Sequence, residues 1–165
     1  MDEKAKKQAL RLIPYGLYIL TARTAESISD LAPGTDAATV SWLSQASFEP
    51  PRVVIGLRRD SSIWQRVQAA GAFVVNIVGQ GQKDLASAFF RHVEPQDGSL
   101  AGHPFHEGLT GAPILDEVPA YVECRVVQTI DAGDHTLFLA DVAEAGVQNT
   151  LEAIDLASTG WHYGG

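Results

Sequence analysis

The chain contains one cysteine, Cys124, in 165 residues. A single thiol excludes an intrachain disulfide and leaves a cysteine-based zinc centre short of ligands. It sits in the apolar run Tyr121 to Val127, where packing alone accounts for a buried thiol. Long apolar stretches are also missing. Runs such as Phe73 to Val78 fall far short of the roughly 20 residues that cross a bilayer. The opening segment, MDEKAKKQALRL, is charged and then amphipathic, without the ~7–15-residue apolar core of a signal peptide. A cytoplasmic protein that does not meet a membrane is the expectation. Positive charge is scarce as well. The formal net charge is −8, and no Lys or Arg follows Arg125, while Asp131, Asp134, Asp141, Glu144, Glu152 and Asp155 do. Binding to nucleic acid needs clustered Lys and Arg against phosphates, so nucleic acid is not an expected partner.

What is present reads as one globular domain over residues 1–165, with 45% hydrophobic and 19% charged residues and no repeat or Pro/Gly/Ser-rich linker. One segment runs against the acidic trend. Residues 52 to 66 carry Arg52, Arg58, Arg59 and Arg66 against Asp60 alone. A small anionic ligand suits such a patch, and an ordinary solvated segment explains it equally.

Periodicity predicts a helix over 3–12, with Ala5, Leu10 and Ile13 on one face and Pro14 stopping it. Strands are expected at 17–21, 37–43 and 53–57. Segment 26–35 reads as a loop, and 45–51 as a connector, because Pro50-Pro51 cannot donate ladder hydrogen bonds. Ser61 or Ser62 caps a helix to Ala70 that Gly71 ends. The wholly apolar run 73–78 reads as a strand buried on both sides, 83–91 as a helix, and 94–113 as a long excursion. Segments 121–130 and 135–142 flank Asp131-Ala132-Gly133-Asp134 as a hairpin. Strands that follow one another directly at both ends disfavour a βαβα fold and favour an antiparallel barrel with helices at its ends.

Several motifs carry less than they suggest. Gly79-Gln-Gly81 follows a predicted strand like a GxGxxG loop, but Asp84 stands where the third glycine belongs, so a strand-to-helix turn is expected. His103 and His106, with His92 and Glu107, have ligand-like spacing for a helix. Gly102, Pro104 and Gly108 disfavour a helix there, and no metal site is expected. No GxSxG elbow supports hydrolysis. Thr39 and Ser41, two apart on a predicted strand, point their hydroxyls the same way, and Ser47 adds another. With an arginine and a helix N-terminus nearby, such groups can hold a phosphate, the helix adding about 0.3–1 kcal/mol. The alternative leaves Thr39 and Ser41 on a solvated strand face and makes Ser61 an ordinary N-cap. The residues alone leave both open.

Segments spread along the chain tip that balance. Pro14 to Ala22, Ser41 to Pro51, Gly71 to Val78, Asp84 to Phe90, Gly111 to Leu115, Tyr121 to Cys124, Gly133 to Val142 and Gly160 to Tyr163 together resemble the flavin reductase-like domain family. Among its members they look most like the reductase module of cyanobacterial flavodiiron-type flavoproteins. The resemblance implies a mainly β, Greek-key-like FMN-binding split β-barrel acting as a homodimer, with flavin sites between or beside the subunits. Carried over by position, Thr39, Val40, Ser41, Trp42, Ala46, Ser47 and Phe48 lie along the flavin, and Ser41 and Ser47 fall near phosphate or ribityl oxygens. Arg58, Arg59, Asp60 and Ser61 form the phosphate-side loop, where Ser61-Ser62-Ile63 departs from the family's Ser-x-Thr. Phe89 matches a family aromatic, and Phe90 replaces a usual alanine.

The implied activity is NAD(P)H-dependent reduction of FMN, with FAD as the alternative cofactor. A hydride passes from the nicotinamide C4 to flavin N5 across about 3–3.5 Å, and the protein positions the two rings. His135 matches the nicotinamide side and is the expected donor there. The lack of arginine beyond Arg125 favours NADH over NADPH. Reduced flavin would pass to an electron acceptor or monooxygenase partner. The alternative is an FMN-bound electron-transfer or sensing module that nicotinamide does not reduce directly.

Overall fold

The computed structural model describes residues 1–165. Asp2 caps α1 (Glu3–Arg11) by accepting from the N–H groups of Lys4 and Ala5, and no residue of this helix is buried. Its apolar side therefore stays on the surface. β1 (Tyr18–Thr24) pairs antiparallel with β2 (Gly34–Val40), Tyr18 opposite Val40. Only Ser41 and Trp42 separate β2 from β3 (Leu43–Ser47), which turns into β4 (Arg52–Arg58). Here the structure departs from the expected connector at 45–51. Leu43–Ser47 ladders with β4, with a register shift between Gln45 and Ser47. The prolines lie just past the ladder, so they end the strand rather than prevent it.

Ser61 caps α2 (Ser62–Ala70), which buries Ile63 and Val67 and leads through Gly71 into β5 (Ala72–Ile77). α3 (Lys83–Ser87) is shorter than its predicted span. The chain leaves the helix at Ala88, burying Phe89 in the core and leaving Phe90 half exposed at 56%. The expected excursion at 94–113 is itself a small sheet of β6 (Pro95–Gln96), β7 (Ser99–Leu100), β8 (His103–Glu107) and β9 (Pro113–Leu115). Gly98 and Gly102, at φ 74° and 81°, close its two tight turns, which is why a Gly- and Pro-rich stretch still forms strands. β10 (Ala120–Asp131) and β11 (His135–Val147) form the predicted hairpin, longer than its apolar run.

The main sheet has seven strands in the order β2-β1-β5-β10-β11-β4-β3, all antiparallel. Leu20 of β1, Phe73 of β5, Cys124 of β10, Phe138 of β11 and Ile55 of β4 share one core with Ile63 and Val67 of α2. Strands far apart in the ladder thus face a common interior, which requires the sheet to curl into a barrel. The barrel is split, because β2 and β3 are its edges and do not pair. These edges are nevertheless consecutive in the chain, so Ser41-Trp42 crosses the split covalently. A second core, with Leu17, Val78, Leu85, Phe89, Leu115 and Leu156, packs α3 and the small sheet outside the barrel.

Candidate functional site

A cavity of about 280 Å³ opens along this seam. β2 contributes Ala38, Thr39 and Val40, the crossing segment after it contributes Ser41, and β4 contributes Gly56, Leu57 and Arg58. Ser61 and Ile63 at the start of α2, together with Leu17, Phe90 and Leu156, complete the walls, and Trp161, His162 and Tyr163 close them. The walls are mostly apolar, with Thr39, Ser41, Arg58 and Ser61 as the polar groups on the strands, crossing and cap. An apolar slot with a few convergent polar groups is the usual form of a small-molecule site, and this one lies just under the about 300 Å³ at which such pockets begin.

The hydroxyls are held differently. Thr39 Oγ1 donates to the Ala86 carbonyl at 2.6 Å and its N–H donates to the Phe89 carbonyl at 3.3 Å, which ties β2 to α3. Ser41 is buried and its hydroxyl makes no hydrogen bond within the protein, so it is available to the cavity. Ser61 Oγ accepts from the Trp64 N–H at 3.3 Å and donates to the Arg58 carbonyl at 2.7 Å. It is thus an N-cap and a cavity residue at once.

The basic patch is less basic than it reads. Arg52 pairs with Asp141 at 2.7 Å, Arg59 with Asp131 at 3.0 Å and Arg66 with Asp36 at 2.8 Å. Arg58 binds both carboxylate oxygens of Asp60, at 3.0 and 2.5 Å, which raises its pKa further. Three of these four aspartates come from distant parts of the chain. Arg58 alone among the arginines lines the cavity.

Other candidates lie away from it. Ala46 and Ser47 sit on edge strand β3, Phe48 is 87% exposed at the following turn, and Arg59 and Asp60 point to solvent. Phe89 is buried in the outer core, and Phe90 faces the cavity in its place. His103 and His106, three apart on β8, face opposite ways and pair with Glu117 and Asp116, at 2.5 and 2.6 Å. No group of three or more metal-binding side chains is present. Burial pushes the Cys124 thiol up to about 12, as its place in the barrel core requires.

His135 begins β11 opposite Arg58 and is only 7% exposed. Its ring lies 4.5 Å from that of Trp42, tilted by 31°. Both nitrogens are engaged, Nδ1 with Asp134 and Nε2 with the Tyr163 hydroxyl, each at 2.7 Å. The carboxylate can only accept, so Nδ1 carries the proton and, in the neutral ring, Nε2 accepts from the phenol. The hydrogen bond to His135 pulls Asp134 below the usual carboxylate range. Burial raises the Tyr163 phenol. Trp42 Nε1 is buried without any partner.

Trp161, His162 and Tyr163 are the site residues that residue-level reading passed over. Their signal was faint: three consecutive aromatic or imidazole side chains in an otherwise small and acidic stretch.

A split antiparallel barrel with a small-molecule cavity at its seam is the class that fold and site define. Residues 10–160 match the flavin reductase like domain, and the chain belongs to that family. Diflavin flavoprotein A 1 of Synechocystis sp. is 31% identical over 160 residues, covering 95% of this chain and 27% of that protein. The chain thus spans about a quarter of the diflavin flavoproteins it matches. Among solved structures, the NADH:FAD oxidoreductase SgcE6 of Streptomyces globisporus is similar at a TM-score of 0.77 and 26% identity, covering 94% of this chain and 90% of that one. That oxidoreductase has also been solved with NAD and FAD fragments. The styrene monooxygenase flavin reductase of Pseudomonas putida aligns at a TM-score of 0.70 and 28% identity, over 85% of this chain and 84% of that one.

Proposed function

We propose that residues 1–165 form one flavin-binding unit that takes FMN, or FAD in its place, at the seam and reduces it with NADH or NADPH. The seam cavity carries the reading: apolar walls suit a flat ring, and Ser41, Arg58 and Ser61 suit its phosphate chain. The Ser41 hydroxyl lines that cavity and makes no hydrogen bond within the protein, which leaves it free to meet a ligand. When bound, the flavin supplies the ring that accepts a hydride from the nicotinamide. The rest falls to the chain. Arg58 shares its guanidinium between Asp60 and the phosphate, the start of α2 adds its partial positive charge, and the walls exclude water. His135, oriented by Asp134, holds the nicotinamide side and need not act as a base. The unit works as a homodimer, which gives the exposed Phe48 and Val147 a place to be covered, and reduced flavin passes to an acceptor or monooxygenase partner.

The test is the absorption spectrum of the protein with FMN and then with FAD, followed anaerobically on adding NADH or NADPH. Bleaching of the flavin band is expected. Its complete absence with both nucleotides overturns the reading. One observation favours the second reading, an electron-transfer module, namely that both nitrogens of His135 are already engaged.

A further inference from the structure

Past Gly160 the chain turns back over the seam. Gly160 takes φ 78°, a left-handed conformation that side chains resist. Trp161 is then pinned: its ring meets Phe90 edge-on at 4.7 Å, Lys83 Nζ lies 4.9 Å from it, and its N–H donates to the Thr159 hydroxyl at 3.1 Å. Residues 162–165 are held by side-chain and packing contacts instead, and Gly165 lies against α1, where an added Cβ would come within 2.6 Å of Arg11 and 3.0 Å of the Lys7 carbonyl. No backbone group of His162, Tyr163, Gly164 or Gly165 makes a hydrogen bond. Tyr163 is kept in place by its bond to His135 Nε2 and by edge-on packing against Trp42 at 5.1 Å. Gly164 also closes over Trp42, since an added Cβ would come within 2.8 Å of the indole.

Resting on the reductase reading, we propose that Tyr163 gates the nicotinamide side of the site. Its phenol occupies the outer nitrogen of His135, and the dinucleotide reaches that histidine only when residues 162–165 swing away from the anchored Trp161. A flat ring carrying one polar group is the chemistry that both Tyr163 and a nicotinamide carboxamide present to His135 and Trp42. The two compete for one place. The apparent affinity for the dinucleotide is therefore the intrinsic one scaled by the fraction of molecules with the strap open. Tyr163 acts through His135 and is a positioning residue, not a catalytic one.

The experiment compares the whole chain with Tyr163→Phe and Tyr163→Ala, with FMN added, using NADH and NADPH. Losing one ordinary hydrogen bond shifts an equilibrium roughly threefold to tenfold. Tyr163→Phe should lower the KM for the preferred nucleotide by that factor while kcat moves less, and Tyr163→Ala should lower it further. Flavin Kd, read from fluorescence quenching, should change less than KM in Tyr163→Phe. In the flavin-free proteins the ring signals of His135 should shift in both variants, a readout independent of turnover. Oxidation of nucleotide that appears only in the variants also supports the gate. Equal KM in an active wild type and both variants, or unmoved His135 signals, overturns the gate and leaves the reductase reading standing. Absence of oxidation in all three proteins overturns the reductase reading instead, and the gate with it.

Discussion

Replacing Asp36 with asparagine tests the clamp that fixes α2, and with it the cap of the seam cavity, against the barrel. Arg66 Nε donates to Asp36 at 2.8 Å, and its Nη1 donates to Thr24 Oγ1 at 2.6 Å and to the Ala32 carbonyl at 2.7 Å. The two side chains are 10% and 4% exposed, and His92 also lies 3.1 Å from Asp36. Asp36→Asn keeps the shape but leaves the guanidinium buried without its counter-charge. Breaking a buried pair from one side costs about 3–5 kcal/mol. With a urea dependence of about 2 kcal/mol per molar, typical of small domains, the unfolding midpoint should fall by about 1.5–2.5 M. Substituting both partners, Arg66→Met with Asp36→Leu, should recover most of that loss, because no charge is then stranded. Equilibrium urea unfolding, followed by tryptophan fluorescence, measures all three. A loss of no more than about 1 kcal/mol for Asp36→Asn, the size of a surface pair, would refute the clamp.

The remaining predictions concern the site and its titrating groups. Asp60→Asn frees Arg58 from its competing carboxylate and should tighten FMN binding, whereas Arg58→Gln should weaken it; flavin fluorescence titrations that move neither way would remove Arg58 from the phosphate. Cys124 should be inert to thiol reagents at pH 8 in the folded protein and react on unfolding, as its burial and its pKa of about 12 require. Burial raises the phenols of Tyr18 and Tyr163. The unfolded phenol ionises near pH 10, so their contribution is complete below about pH 10 and is lost as pH rises through the folded values. Tyr163→Phe should therefore flatten the alkaline fall in urea midpoint, and an unchanged slope would show that the partly covered Tyr163 phenol does not have a raised pKa in solution. Ser61→Ala should cost about 1 kcal/mol as a lost N-cap in the same urea assay.

Local pattern made much of this protein legible. The apolar run 73–78 specifies a strand covered on both faces, and β5 indeed lies between β1 and β10 with Phe73, Val74 and Val75 buried. Ser61 and Gly71 bound α2 because cap and stop chemistry act over one turn. The hairpin at Asp131 to Asp134 follows from its turn residues for the same reason.

Elsewhere the deciding partner is far away in sequence. Leu43–Ser47 has too few apolar residues to announce a strand and becomes one because β4 offers it a ladder. Arg52, Arg59 and Arg66 form a basic patch on paper, yet Asp141, Asp131 and Asp36 neutralise them once the barrel closes. Phe89 and Phe90 are neighbours of one type, and only packing sends the first into the core and the second to the cavity. By itself, then, the sequence determined the β-rich class, the caps and turns, and through family resemblance the cofactor to test for. Tertiary structure alone decided that Ser41-Trp42 spans a split, that the cavity lies there, and that Tyr163 covers His135, because curling a sheet brings its two edges and a remote strap to one place.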